Sequence, residues 1–226
     1  KFLAKFHLAL DGFQWRENQS GDSIHSLDKH LERLKKGLAK SKEHSAHREA
    51  VKIAHTLFGL HDDLPRLKCG ENKILHGDPK INNFLFSADD GSAVCLLDLD
   101  TVGWMWLAWE LGDAFRSWCN PGGEDCSSGS FDASLFKAAY EGYAGEAKDY
   151  FNQEDRESVV MATLYIYLEL AARFLLDALE EHYFAWNDEI FSSAAEHNLV
   201  RAKGQLAAGF DLFNQLNDLR GHIARL

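Results

Sequence analysis

The feature that most constrains this chain is a change of hydrophobic period in its middle. Around it, apolar residues recur at spacings near 3.6, with Leu27, Leu31, Leu34 and Leu38 the clearest series, and such spacing predicts helices. From Lys73 to Val102 the pattern becomes short β-type runs, Phe84-Leu85-Phe86 and Ala93-Val94-Cys95-Leu96-Leu97, either side of Ala88-Asp89-Asp90-Gly91-Ser92. That reads as one hairpin in a helical protein. Three helical stretches are expected in residues 1–60, broken by polar pieces such as 17–22, and the longest helical pattern runs from about Glu154 to Glu181. A Gly/Ser/Asp-rich stretch from Asn120 to Ser130 reads as a flexible loop. The expectation is α+β, mostly α-helical, as one domain over residues 1–226.

With 46% hydrophobic residues the chain can bury a sizeable core. Its 24 basic and 35 acidic residues leave a net charge of -11, and the longest basic run is Lys35-Lys36, so neither nucleic acid nor an anionic membrane surface is expected as a partner. No signal segment and no apolar run long enough for a membrane span is expected. The four cysteines, Cys69, Cys95, Cys119 and Cys126, form no C-x-x-C pair, which fits a reducing, cytoplasmic compartment.

The chemistry concentrates in His76-Gly77-Asp78-Pro79-Lys80-Ile81-Asn82-Asn83 and in Leu96-Leu97-Asp98-Leu99-Asp100-Thr101. An Asp followed five positions later by an Asn has the spacing of a kinase catalytic loop, in which the Asp takes the acceptor hydroxyl's hydrogen bond and the Asn holds magnesium. If Asp90-Gly91 is a two-residue turn, Asn83 lies opposite Asp98, with Cβ atoms about 4.5 to 5.5 Å apart. Two oxygen ligands at that separation suit a hard cation. Asp78 is then the candidate base and Lys80 a neutraliser of phosphoryl charge. Asp100 is either a further metal ligand or a turn cap.

At these residues the chain resembles the aminoglycoside phosphotransferase and choline kinase superfamily, whose catalytic lobe is related to the protein-kinase C-terminal lobe. Within it, Asp78-Pro79-Lys80-Ile81-Asn82-Asn83, Leu97-Asp98-Leu99-Asp100-Thr101-Val102, Leu111-Gly112-Asp113-Ala114-Phe115-Arg116 and Arg173-Phe174-Leu175 look most like the N-acetylhexosamine 1-kinases. The resemblance implies an ATP-dependent phosphotransferase acting on a small-molecule hydroxyl, with Asp78 as base and Mg²⁺ on Asn83 and Asp98. It also implies Lys80, Arg173 and Tyr183 as holders of the sugar and its phosphate, with His182 or Phe184 as alternatives to Tyr183. His76 is expected to anchor the loop and Asp113 to brace it.

The family's small N-terminal nucleotide lobe has no counterpart, since neither G-x-G-x-x-G nor G-x-x-x-x-G-K-[ST] occurs. The chain is therefore expected to be a catalytic lobe alone, inactive or weakly active by itself, with that lobe as a missing partner. An aminoglycoside or choline-like acceptor, or a silent lobe that binds a ligand or partner without transferring phosphate, remain the alternatives. Trp104, Trp106 and Trp109 either stack on a sugar or belong to core. Arg173 lies four residues from both Glu169 and Asp177, a spacing that also allows a plain ion-pair ladder on a helix face.

Overall fold

The computed structural model describes residues 1–13, 25–67 and 70–226; the polar piece at 17–22 and Cys69 lie outside them. Among the described residues, seven α-helices and four strands follow in order: α1 (Phe2–Leu10), α2 (Leu27–Lys40), α3 (His47–Asp62), β1 (Asn72–Leu75), β2 (Phe84–Phe86), β3 (Ala93–Leu96), β4 (Gly103–Trp106), α4 (Leu107–Trp118), α5 (Ala133–Ala147), α6 (Gln153–Glu180) and α7 (Ala194–Ile223). The α+β, mostly helical expectation holds, including three helices in the first sixty residues.

α6 is the central post, packed by α7, α4, α2 and α3. Its residues from Val159 to Leu175 are buried almost without interruption, as a helix surrounded on all sides requires. It is long and apolar enough to cross a membrane, contrary to the expectation that no such stretch exists, yet 89% of its most apolar window is buried in this fold. α4 approaches it closely. A Cβ added to Gly112 would stand 2.9 Å from the Ala162 carbonyl carbon, so that contact admits nothing larger than glycine without a shift. α7, at 30 residues, is longer than α6 and displaces it as the longest helix.

Side-chain caps fix three helix starts. Asp132 accepts from Ser134 and Leu135 N–H groups, Asn152 from Asp155, and Ser193 from Glu196.

The β residues form two separate antiparallel pairs, β1 with β4 and β2 with β3. The second is the expected hairpin. The first pairs Asn72 with Trp106 across 34 positions and was not apparent from the sequence. Together they clamp the ends of two loops, residues 76–83 and 97–102, against α4.

The hairpin register departs from expectation by one residue. Phe84 opposes Leu96 and Leu85 opposes Cys95, with an irregularity at Phe86. The turn is not a two-residue Asp-Gly turn, because the Gly91 N–H reaches back to the Ser87 carbonyl and the Ser87 N–H bonds to Ser92. Four residues, 88–91, close the loop, with Gly91 supplying the left-handed φ of +68. Asn83 consequently pairs with Leu97, whose N–H donates to the Asn83 carbonyl at 2.8 Å, and Asp98 comes one residue later.

Candidate active site

The loop after β1 can make its turn only with glycine at position 77. Gly77 has φ +89, and a Cβ there would meet the Thr101 carbonyl oxygen at 2.3 Å. Thr101 seals this contact from the other side, its hydroxyl donating to the His76 carbonyl at 2.8 Å. His76 is fully buried and joins the same two segments: Nδ1 accepts the Asp78 N–H at 3.2 Å, which leaves the proton on Nε2 to donate to the Leu97 carbonyl at 2.8 Å.

The carboxylate that braces the loop is Glu110, not Asp113. Glu110, on α4 and 0% exposed, accepts the His76 N–H at Oε1 (3.2 Å), the Gly77 N–H at Oε2 (2.8 Å) and the His7 imidazole at 3.1 Å. The Tyr143 hydroxyl lies 2.8 Å from the other His7 nitrogen, and burial pushes its ionisation far up, so it serves as donor. Asp113 instead receives Arg116 through Nε (3.0 Å) and Nη2 (2.9 Å). Burial alone would raise the Asp113 carboxyl, but Arg116 and His25 outweigh it and hold it below the usual carboxylate range. Arg116 also pairs with Glu124 from the loop before α5. A lone Glu in the apolar run Leu107–Leu111 was the signal for Glu110: a carboxylate on a buried helix face must have donors waiting.

Asp78 is tied from two sides. Lys80 Nζ lies 2.5 Å from its Oδ2, and Asn83 Nδ2 donates to the same oxygen at 3.0 Å and to the Asp78 carbonyl at 2.7 Å. Both hydrogens of the Asn83 amide are thus committed to Asp78, and an amide oxygen remains on that side chain as an acceptor. Asp98 is exposed and left-handed, at φ +60, two residues beyond the end of β3. Asp100 follows, also exposed, in a single 3₁₀ turn, Leu99–Thr101. Among the described residues no three His, Cys, Asp or Glu side chains cluster as a metal cage. An amide oxygen with one or two carboxylates is nevertheless a donor set that fits Mg²⁺, which takes few protein ligands and completes its shell with water and nucleotide phosphates.

A cleft of about 300 Å³ opens in front of Asp78, and Lys80, Asp113, Arg173 and Tyr183 all line it. His25, Arg116, Glu124 and Glu169, to which the sequence assigned no role in the site, line it too. The ion-pair ladder along α6 does not form. Glu169 is taken by His25 at 3.2 Å, and Asp177 is occupied by backbone N–H groups of residues 182–184. Arg173 therefore turns to the aromatic pair beyond the helix, its guanidinium 5.7 Å from the Tyr183 ring and 5.5 Å from Phe184, with Nη2 donating to the Tyr183 hydroxyl at 3.3 Å. The tryptophans do not enter the cleft. Trp106 and Trp109 are core, edge to face at 5.6 Å, and Trp104 lies half-exposed beside Lys73 and Tyr150.

These features accord with two comparisons. The fold is similar to that of a choline kinase from Cryptosporidium parvum Iowa II, with a TM-score of 0.53 at 11% sequence identity over 97% of this chain. The chain spans 64% of the length of that kinase. Residues 1–146, which include the whole 76–83 loop, the hairpin and α4, match the family model described as the phosphotransferase enzyme family, APH. The chain belongs to that phosphotransferase family.

Proposed function

We propose that this chain is the catalytic lobe of an ATP- and Mg²⁺-dependent kinase that phosphorylates a hydroxyl of a sugar or amino sugar of the N-acetylhexosamine type. The carrying observation is the Asp78 carboxylate, held by Lys80 and Asn83 and opening into a polar cleft. An acceptor hydroxyl in that cleft donates its hydrogen bond to Asp78. As its oxygen bonds to the γ-phosphorus, the bond from that phosphorus to the β–γ bridging oxygen breaks, ADP leaves and the hydroxyl proton passes to Asp78. Lys80 offsets negative charge on the moving group. Mg²⁺ held by Asn83 and Asp98, with Asp100 beside them, would neutralise the nucleotide phosphates.

The charge of the cleft supports an uncharged acceptor. Its carboxylates, Asp78, Asp113, Glu124 and Glu169, face the fixed cations Lys80, Arg116 and Arg173. His25 adds to the positive side: burial alone would lower its ionisation, but Glu169 outweighs burial and raises it. A polycationic aminoglycoside finds little surplus of carboxylate there. A quaternary ammonium finds the Tyr183 and Phe184 rings already beside a guanidinium. A polyhydroxyl ring, which needs donors and acceptors in equal measure, fits better.

Leu85, Phe86, Val94, Leu97 and Leu99 are all exposed on and beside the hairpin, next to the proposed metal ligands. Apolar side chains exposed on both sides of the hairpin support docking of a nucleotide-covering lobe and weak nucleotide binding by the chain without one.

The test is acceptor-dependent ADP release with Mg²⁺-ATP and a panel of hexosamines, hexoses, aminoglycosides and choline, run on this chain and on the complete gene product. Asp78→Ala should lower kcat by about 10²- to 10⁴-fold with acceptor KM little changed, the usual size of a general-base contribution. Turnover equal to that of the unsubstituted protein would end the base assignment. No release with any acceptor would shift weight to a silent binding lobe.

A further inference from the structure

α6 is capped by Glu181, which takes the left-handed conformation at φ +52, and the segment that follows brings Tyr183 and Phe184 to the cleft. The next three backbone N–H groups converge on one carboxylate. His182 and Tyr183 donate to Oδ1 of Asp177 at 3.1 and 2.8 Å, and Phe184 donates to Oδ2 at 2.9 Å. Asn198 Nδ2, from α7, adds a fourth bond to Oδ2 at 3.0 Å. Asp177 and Asn198 are both buried, at 3% and 0% exposure. Successive N–H groups closing around a buried carboxylate act as the reverse of an anion nest: here the anion fixes the backbone.

The segment so fixed carries the cleft wall. Tyr183 and Phe184 meet edge to face at 4.7 Å, Phe184 packs on Phe174 at 4.6 Å, and both rings flank Arg173. Tyr183 is 67% exposed, so burial does little to hold its ring. Its position comes from its own backbone, from the edge of Phe184 and from the contacts with Arg173.

We propose that Asp177 is a positioning residue for the acceptor: by gathering the 182–184 backbone it sets the Arg173–Tyr183–Phe184 wall against which a sugar-like acceptor is held facing Asp78. The kinetic half of this inference rests on the cleft being the acceptor site. The conformational half does not.

Asp177→Asn keeps the side chain's shape while replacing one acceptor oxygen with a donor. Hydrogen exchange should show the 182–184 amides exchanging about 10-fold faster, the equivalent of one lost charge-assisted bond, with interior α6 amides unchanged. In the complete gene product, KM for N-acetylglucosamine should rise about 10-fold for the same reason, with kcat and nucleotide KM little altered. Adding Tyr183→Ala should raise KM no further than Tyr183→Ala alone, because Asp177 acts through that wall. A purely structural Asp177 would lower thermal stability and leave acceptor KM untouched. Unchanged exchange at 182–184, an unchanged KM, or additive effects of the two substitutions would each overturn the proposal. If the unsubstituted protein phosphorylates nothing in the panel, the acceptor reading fails, and the exchange result alone decides whether Asp177 holds the wall. Should Asp177→Asn not fold, Asn198→Ala removes one contact from the same carboxylate and should give the same pattern with smaller shifts.

Discussion

At the residue scale the contacts of the loop are local: His76 through Asn83 lie within eight positions, and Asn83, expected opposite Asp98, also turns its amide back onto Asp78. What escaped was the second partner of each contact. Asp113 was expected to brace the loop, and its place is taken by Glu110, one helical turn earlier on the same helix. Both are carboxylates in an apolar helix, and only the angle at which α4 docks decides which one reaches the loop. Glu110→Ala should be correspondingly severe. It strips acceptors from the His76 and Gly77 N–H groups and from His7 in a fully buried setting, which costs about 3–5 kcal/mol. Urea unfolding should report this, whereas Asp100→Ala, at an exposed position, should fall within about 0.5 kcal/mol of the parent.

At the scale of elements, helices were legible from their periodicity and the hairpin from its alternation. The β1–β4 pair was not, since neither strand announces a partner more than thirty residues away and β4, Gly103-Trp104-Met105-Trp106, runs directly into a helix. The one-residue error in hairpin register has a similar origin: Asp90-Gly91 favours a two-residue turn, but the structure uses Asp90 to hold Ser92 and closes the loop over four residues. The loop at 120–130 was legible as a loop, yet not its attachment to α7. Asp125 there accepts from the His197 imidazole at 2.8 Å and from Arg201 at 2.7 Å, while His197 Nδ1 accepts the Asn187 N–H at 3.2 Å. Burial first, and then Arg201, lower the His197 ionisation despite the pull of Asp125. A histidine so depressed favours folding while neutral. Its contribution is complete above the unfolded value of about 6.5 and is lost as pH falls through the lower folded value. Between pH 7.5 and 5, urea midpoints should therefore fall more for the parent than for His197→Gln. Equal slopes would show that His197 does not carry this dependence.

At the scale of the whole molecule, fold class and family membership were in reach of the sequence, while the exposure of apolar residues on the hairpin was not. Alternation predicted which residues form strands. It did not predict that Leu85, Phe86 and Val94 would all remain exposed. If a nucleotide-covering lobe docks there, Val94→Asp should weaken its association with this chain in sedimentation experiments, with stability within about 0.5 kcal/mol of the parent, as expected for a surface change. Unaltered association would mean that another surface carries it. α6 brings a different consequence. One helix supplies Ile166, Glu169, Leu170 and Arg173 to the cleft and at the same time packs against four others. Few of its positions can vary to suit a new substrate without loosening the core. If the cleft is the acceptor site, as proposed, divergence of acceptor preference, or its redesign, is channelled into the two connecting segments that deliver Glu124 and Tyr183, where exchanges leave the central post intact.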